Sequence, residues 1–180
     1  TVLAPWQLGK NTTTSRENNQ IKASLSADPV AVTSFLPRQD SSAPEDQWRQ
    51  VTATGRYLPG VQVLARLRLI AGKPAFEVLT AFAVDGGPTV LVNRGFVRPS
   101  QGTEMPTVAP PTTGTVRITA RLRDPETAPV EDMQPFRENG TWQVYAIDTR
   151  QIAAITETPL TISYLQLMEN QPGALDVLPL

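Results

Sequence analysis

From Arg49 onward, apolar and polar residues alternate with a period of two, and the alternation recurs in segment after segment between short turn signals. Successive side chains of a strand point to opposite faces, so this period marks strands with one buried face. The segments are 50–58, 61–71, 75–84 and 89–97, separated by Pro59-Gly60, Gly72-Lys73-Pro74 and Asp85-Gly86-Gly87-Pro88. Glycine reaches positive φ and proline cannot donate to a ladder, so each separator suits a tight turn. The four segments predict a meander of antiparallel hairpins. In the second, Val63, Ala65, Leu67 and Leu69 share a predicted face, with Arg66 and Arg68 opposite.

The rest of the chain adds strands and short helices to this meander. In 115–123, Val116, Ile118, Ala120 and Leu122 point one way, while Thr115, Arg117, Thr119, Arg121 and Arg123 point the other. Further strands are predicted over 142–146 and 160–167. A first helix is predicted over 15–27: Thr14 or Ser15 caps it, Ile21 and Leu25 share a face, and Asp28-Pro29 ends it. A one-turn helix starts at Pro44, and Asp148 caps another over 149–155. Seventeen prolines, clustered in 99–111 and 125–135, make loops of those stretches. The expected fold is mainly β (α+β): an antiparallel, closed or nearly closed β-barrel or sandwich with a few short peripheral helices. With 180 residues, one domain is expected. It comprises a leading segment 1–14, a helical lead-in 15–47, the meander 48–123, and an acidic loop, short helix and final strand in 124–180.

Composition narrows the chemistry. The chain has no His and no Cys. The commonest neutral-pH acid–base group, the usual nucleophile–base pairs and the usual zinc, iron–sulfur and haem ligands all need one or the other. No apolar run approaches the roughly 20 residues that span a bilayer. The start Thr1-Val2-Leu3-Ala4 is unlike a signal peptide. Two readings stay open: a soluble protein, or a chain whose membrane segments lie outside these residues. Residues 1–123 carry 14 basic and 8 acidic side chains, and residues 124–180 carry 2 and 9. The favoured reading is that the two parts neutralise each other on folding. Aromatics are only 6%, which sets nucleic-acid binding aside.

Candidate sites are few. Asp124, Glu126, Glu131 and Asp132 lack the ligand spacing of a calcium loop and read as a solvated acidic loop. Met105, Met133 and Met168 read as gap fillers. Gly55-Arg56-Tyr57 lies late in the first strand, where a glycine marks a bulge or a close backbone approach; Arg56 is the residue of it that a partner could grip. Asn93 and Arg94 interrupt the apolar run of 90–97, so they need buried partners or a cleft. Alternation puts Val90, Val92, Arg94 and Phe96 on one face, with Leu91, Asn93, Gly95 and Val97 on the other. Two roles are open for Arg94: an ion pair with a carboxylate of the acid-rich stretch 124–148, the expected outcome, or a grip on a ligand carboxylate or propionate.

In order, these motifs resemble those of the Surfeit locus protein family, also called the Shy family, of cytochrome c oxidase assembly factors. Trp6-Gln7-Leu8-Gly9-Lys10 resembles the family's aromatic–Gln–Leu–x–basic segment, and Val51–Tyr57 its V-x-x-x-G-x-[FY] strand. Val78-Leu79-Thr80-Ala81-Phe82 is similar to its V-x-T-P-F strand, with Ala81 in place of the proline. The most specific match is Val90-Leu91-Val92-Asn93-Arg94-Gly95-Phe96-Val97, to the V-L-V-N-R-G-[FW]-V signature. Gly114–Arg123, Gln134-Pro135-Phe136, Glu138-Asn139 and Trp142 follow in family order. The resemblance implies an extracytoplasmic domain between two transmembrane helices, both outside this chain, in a bacterial plasma membrane. Residues 1–14 would then be a membrane-exit segment, with Trp6 at the interface.

It also implies a non-catalytic helper that assists delivery of haem a to, or its retention in, oxidase subunit I. Its partners would be that subunit, neighbouring oxidase or respiratory supercomplex subunits, and the membrane. The haem contact would lie in the second transmembrane helix, with no cofactor bound by this domain. Signature or partner-contact residues would be Trp6, Gln7, Gly55, Arg56, Tyr57, Asn93, Arg94, Gly95, Phe96 and Trp142. Rival readings are a soluble β-barrel for a small ligand or lipid, and a hydrolase using carboxylates such as Glu138 and Asp148. If two membrane spans flank the chain, its two ends must leave the domain on one side.

Overall fold

The computed structural model describes residues 22–99, 101–102, 104–128 and 133–179. Residues 22–26 are helical and the helix stops before Asp28-Pro29, as expected. Its predicted start, Thr14 to Ile21, lies outside the described residues, as do Trp6, Gln7, Glu131 and Asp132. The strands are β1 (Val30–Ala31), β2 (Gln50–Ile70), β3 (Lys73–Val84), β4 (Thr89–Val97), β5 (Val116–Arg123), β6 (Phe136–Glu138), β7 (Thr141–Val144) and β8 (Tyr164–Leu167). The α-helix α1 (Thr149–Thr156) precedes β8, and 3-10 turns occupy Val32–Ser34 and Pro44–Asp46. Asp148 caps α1 as predicted, accepting the N–H groups of Arg150 and Gln151.

The pairing closes on itself. β2 pairs with β3, β3 with β4, β4 with β8, β8 with β5, and β5 returns to the first half of β2. Closure leaves those five strands no open edge. The second half of β2 runs beyond the ring and holds β7, which carries β6. Inside the ring, Val51, Ala53, Tyr57, Phe82, Val84, Val90, Val92, Ile118, Ala120, Leu122, Leu165 and Leu167 form one core. Outside it, Val63, Leu79, Ala81, Leu91 and Tyr164 pack under Ile152 of α1 and under Val144 and Ile147. A third, smaller cluster of Leu64, Phe76 and Val78 continues the inner face, covered by Met105, Val108 and Leu175.

Three expectations are corrected. Pro59-Gly60 is not a hairpin turn, because β2 is one strand across it. Leu58 pairs with Ala81 and Gln62 with Thr80, so 59–61 bulge out of the ladder. Proline cannot donate to a ladder but is tolerated in a bulge. A second bulge falls where Ala65 pairs with Glu77 and Arg68 with Ala75, one extra residue in β2, with Leu67 at φ 57°. One extra residue inverts the alternation. Val63 and Ala65 are buried as predicted, but Leu67 and Leu69 leave that face and are exposed to solvent. The final strand is also shorter than predicted, covering four residues of 160–167. Met105 fills a core gap as expected, whereas Met133 is exposed.

Candidate functional site

The signature segment lies at the end of β4. Alternation holds as predicted through Arg94, but Asn93 pairs with Leu79 and Phe96 with Glu77, one extra residue in β4, so this bulge puts Phe96 on the outer face and Val97 on the inner, the reverse of the expectation. Arg94 turns inward and is only 2% exposed. Its Nε donates to the Gly173 carbonyl (2.8 Å), Nη1 to Oε1 of Gln62 (3.0 Å) and Nη2 to the Ala109 carbonyl (3.0 Å). Thr80 donates to the same Gln62 oxygen at 2.9 Å. The guanidinium also stands 6.0 Å from the Tyr57 ring centroid. Burial pushes the Arg94 pKa below and the Tyr57 pKa above their ordinary values.

The expected carboxylate from 124–148 does not reach Arg94; among the described residues its hydrogen bonds go to carbonyl and amide oxygens. The described part of that stretch crosses the outer face, where Glu126 accepts from Arg68. Arg94 faces the interior, where the segment 172–176 and the loop around Ala109 cover it.

Asn93 turns outward. Its Nδ2 donates to Oε1 of the buried Glu77 (2.9 Å), and its Oδ1 accepts the Gly95 N–H (3.0 Å). Glu77 is paired through its other oxygen with Nε of Arg68. The Arg68 fork continues to Glu126, with Nη1 at 2.9 Å and Nη2 at 2.5 Å from its two oxygens. Glu126 also accepts the Ile147 N–H at 2.9 Å. Burial alone would lower the Arg68 pKa, but its hydrogen bonds and the charges of Glu126 and Glu77 hold it above the usual range. Burial would likewise raise Glu126; the Arg68 and Ile147 hydrogen bonds outweigh it and keep the carboxyl below its usual value. An acid held ionised in this way cannot serve as a general acid near neutrality. Nearby, burial pushes the Tyr164 hydroxyl up to about 12.

Gly95 has a φ of 117°, and a Cβ there would lie 2.2 Å from the Asp176 carbonyl oxygen. The C-terminal segment crosses at that point: Leu175 N–H donates to the Arg94 carbonyl (2.8 Å) and Phe96 N–H to the Asp176 carbonyl (2.9 Å). Tyr57 adds its hydroxyl to the Pro172 carbonyl at 2.8 Å. Gly55 permits another close approach, since a Cβ there would sit 2.0 Å from the Ala83 carbonyl oxygen of β3. Tyr57, Arg94, Gly95 and Phe96 thus meet around the C-terminal segment, with Asn93 on the outer side, whereas Gly55, opposite Val84, lies toward the β3–β4 turn. Two other predicted residues stand apart. Arg56 is exposed, and Trp142 is half-buried in the outer core with Arg137 over its ring.

Sequence reading missed Arg68, Glu77, Gln62 and Thr80. Glu77 was the available signal, a lone acid inside the apolar run 75–82. Asp148, named for the hydrolase reading, is committed to the α1 cap and to the Ala128 N–H. The first and last described segments converge on Arg121. Its Nη1 lies 3.5 Å from the Leu25 carbonyl, and its side chain lines a groove of about 190 Å³ with Val177 and Leu178. Among the described residues, no group of His, Cys, Asp and Glu is arranged to hold a metal, and no helix is long and apolar enough to cross a membrane.

The sequence model of the SURF1 family matches residues 1–177. SURF1-like proteins of Mycobacterium tuberculosis and Mycobacterium bovis are each 61% identical to the chain over 178 residues, 99% of it and 65% of their own length. A SURF1-like protein of Monosiga brevicollis is 28% identical over 165 residues, covering 84% of the chain and 60% of that protein. The chain thus spans about 65% of the length of the mycobacterial relatives. With the signature seated on both faces of β4 and the match running from end to end, the chain belongs to the SURF1 family.

Proposed function

We propose that this chain is the extracytoplasmic domain of a membrane-anchored cytochrome c oxidase assembly factor. It assists delivery of haem a to subunit I, or its retention there, and catalyses no reaction itself. Membership of a family linked to oxidase assembly supports the reading. The observation that carries it is the use made of the signature. Asn93, Arg94 and Gly95 are all committed to bonds and close contacts within the chain, which is what a rigid docking scaffold needs. Docking to subunit I and to neighbouring oxidase or supercomplex subunits then falls to the surface, where Arg56 is the exposed member of the predicted set. Haem a is cargo in this reading. The chain has neither His nor Cys, the commonest axial ligands, and in this reading the haem contact lies in membrane segments outside it. The ring interior is filled by its own side chains, which weighs against the alternative of a barrel for a small ligand.

The test is deletion of the gene in its host and complementation with the full-length protein. Membranes of the deletion strain should lose most of the haem a absorbance band and oxidase activity while oxidase subunit transcripts persist. Unchanged oxidase in the deletion strain would sink the proposal. In complemented cells, Arg56→Glu should lower oxidase yield at an unchanged melting temperature of the purified domain.

A further inference from the structure

Arg121 is a buried cation without a counter-charge. It is 9% exposed, and among the described residues no carboxylate stands within ion-pair distance of it. Burial pushes its pKa below the ordinary value, and no neighbouring charge pulls it back. Arg94 spends all three guanidinium nitrogens inside the chain, but Arg121 spends one. Its Nη1 donates to the Trp48 carbonyl at 3.0 Å and reaches that of Leu25 at 3.5 Å. Nε and Nη2 donate to nothing among the described residues, and neither is sealed from solvent. A guanidinium keeps its proton in proteins, so a bound anion would offset the cost of burying this charge alone.

A second donor stands beside it. Gln166 lies directly opposite Arg121 in the β5–β8 ladder, on the same outer face, and is 5% exposed. Its Oε1 accepts from Nη1 of Arg123, which leaves the amide Nε2 as the free donor. Nε2 makes no hydrogen bond among the described residues. Both side chains line the groove of about 190 Å³, whose other walls are Leu167, Met168, Val177 and Leu178. Glu169 lines it too, and is exposed. Two convergent donors on one side and apolar walls on the other suit an amphiphile, with an anion at one end and an alkyl chain at the other. The volume equals that of about six waters, which admits a phosphate and the first methylenes of a chain but not a whole lipid. The groove also lies where the first and last described segments meet. If membrane spans flank the chain, that side faces the bilayer.

We infer that this groove binds the headgroup of an anionic phospholipid, with phosphate oxygens on Arg121 and Gln166 and the first methylenes along Val177 and Leu178. The inference rests on the membrane-anchored reading, but its test does not involve the oxidase. The experiment is flotation of the 180-residue chain with vesicles of phosphatidylcholine alone or mixed with phosphatidylglycerol. Wild type should float with the mixed vesicles and about fivefold or more less with the neutral ones. Arg121→Gln should cut partitioning on mixed vesicles about tenfold or more, because charge-assisted hydrogen bonds are lost. Arg117→Gln removes an exposed cation from the same face of β5, outside the groove, and should change it by less than about twofold. Val177→Asp should cut it about fivefold or more, and Glu169→Gln should raise it about twofold, since each alters charge at the groove. Val177 and Glu169 are exposed, so these two variants keep the test readable even if Arg121→Gln melts early.

Equal flotation of wild type with both kinds of vesicle would overturn the inference. Equal losses in Arg117→Gln and Arg121→Gln would also overturn it, by showing diffuse attraction without a site. Release from mixed vesicles by millimolar inorganic phosphate would make the groove a site for the free anion, and the lipid assignment would be wrong. If flotation behaves as expected while gene deletion leaves oxidase intact, the lipid site stands and the assembly reading falls. If deletion abolishes oxidase while Arg121→Gln floats like wild type, the lipid site alone falls.

Discussion

Arg94 and Gly95 are neighbours with different tasks at one crossing. Gly95 makes room for the C-terminal segment, and Arg94 binds it. A guanidinium is a planar fork, and here its three nitrogens reach three acceptors on different parts of the chain: the Gly173 and Ala109 carbonyls and Gln62. Replacing it by methionine leaves the Gly173 and Ala109 carbonyls without this donor and Gln62 with Thr80 alone, at a cost of about 2–3 kcal/mol. Lysine should not rescue the loss, since one ammonium cannot span the three acceptors. Urea melts of Arg94→Met and Arg94→Lys should therefore show similar losses, and a wild-type-like Arg94→Lys would refute the fork. Part of this residue was readable beforehand. Alternation gave its face and the apolar neighbours gave its burial, but its partners lie 15 to 79 residues away in sequence and carry no local pattern.

β2 determines how the outer face is wired. Its second bulge adds one residue, which turns Arg68 onto the face of Val63 and Ala65, where Glu77 and Glu126 wait. The network then joins β4, β3, β2 and the segment leading to α1 through Asn93, Glu77, Arg68 and Glu126. Glu126 has its pKa lowered on folding. A carboxyl lowered in the folded state binds fewer protons there than in the unfolded chain. Its contribution is therefore complete above the unfolded value of roughly 4.3 and is lost as pH falls below it towards the folded value. Partial exposure of the pair keeps that contribution to about 1 kcal/mol. Glu126→Gln should lower stability by about that much at pH 7 and bring the variant closer to wild type at about pH 3, in paired denaturant titrations. An equal gap at both pH values would show that the pair acts by packing alone.

At the scale of the molecule, the C-terminal segment is what closes the end of the ring that holds the signature. Residues 172–176 accept from Tyr57, Arg94 and Phe96, and they donate to the Arg94 carbonyl. Cutting the chain after Gln171 removes all four hydrogen bonds and opens the inner core to water. At about 1 kcal/mol for each bond, the melting temperature should fall by roughly 10 °C. Amide exchange should quicken in β4 more than in β5, whose ladder with β2 is untouched by the cut. Equal acceleration in both strands would mean that the ring melts as one unit without a local closure. The same segment ends beside Arg121, close to the carbonyl of Leu25, so the first and last described segments lie together.

The sequence by itself determined the β-rich class, the strand faces in β5 and in β4 as far as Arg94, the Asp148 cap, and the signature by which the family can be recognised. Each is a local property: a period of two, a capping residue beside its helix, or a run of letters in order. Tertiary structure alone decided where the ladder slips. Residues 59–61 and the extra residue near Leu67 bulge because β2 must keep β3, β5 and β7 in register at once. That demand arises from partners up to 79 residues away and leaves no trace in the local pattern. The choice of partners follows from the same slip. Glu126 is paired with Arg68 rather than Arg94 because the bulge exposes Arg68 to the outer face, while the ring buries Arg94 inside.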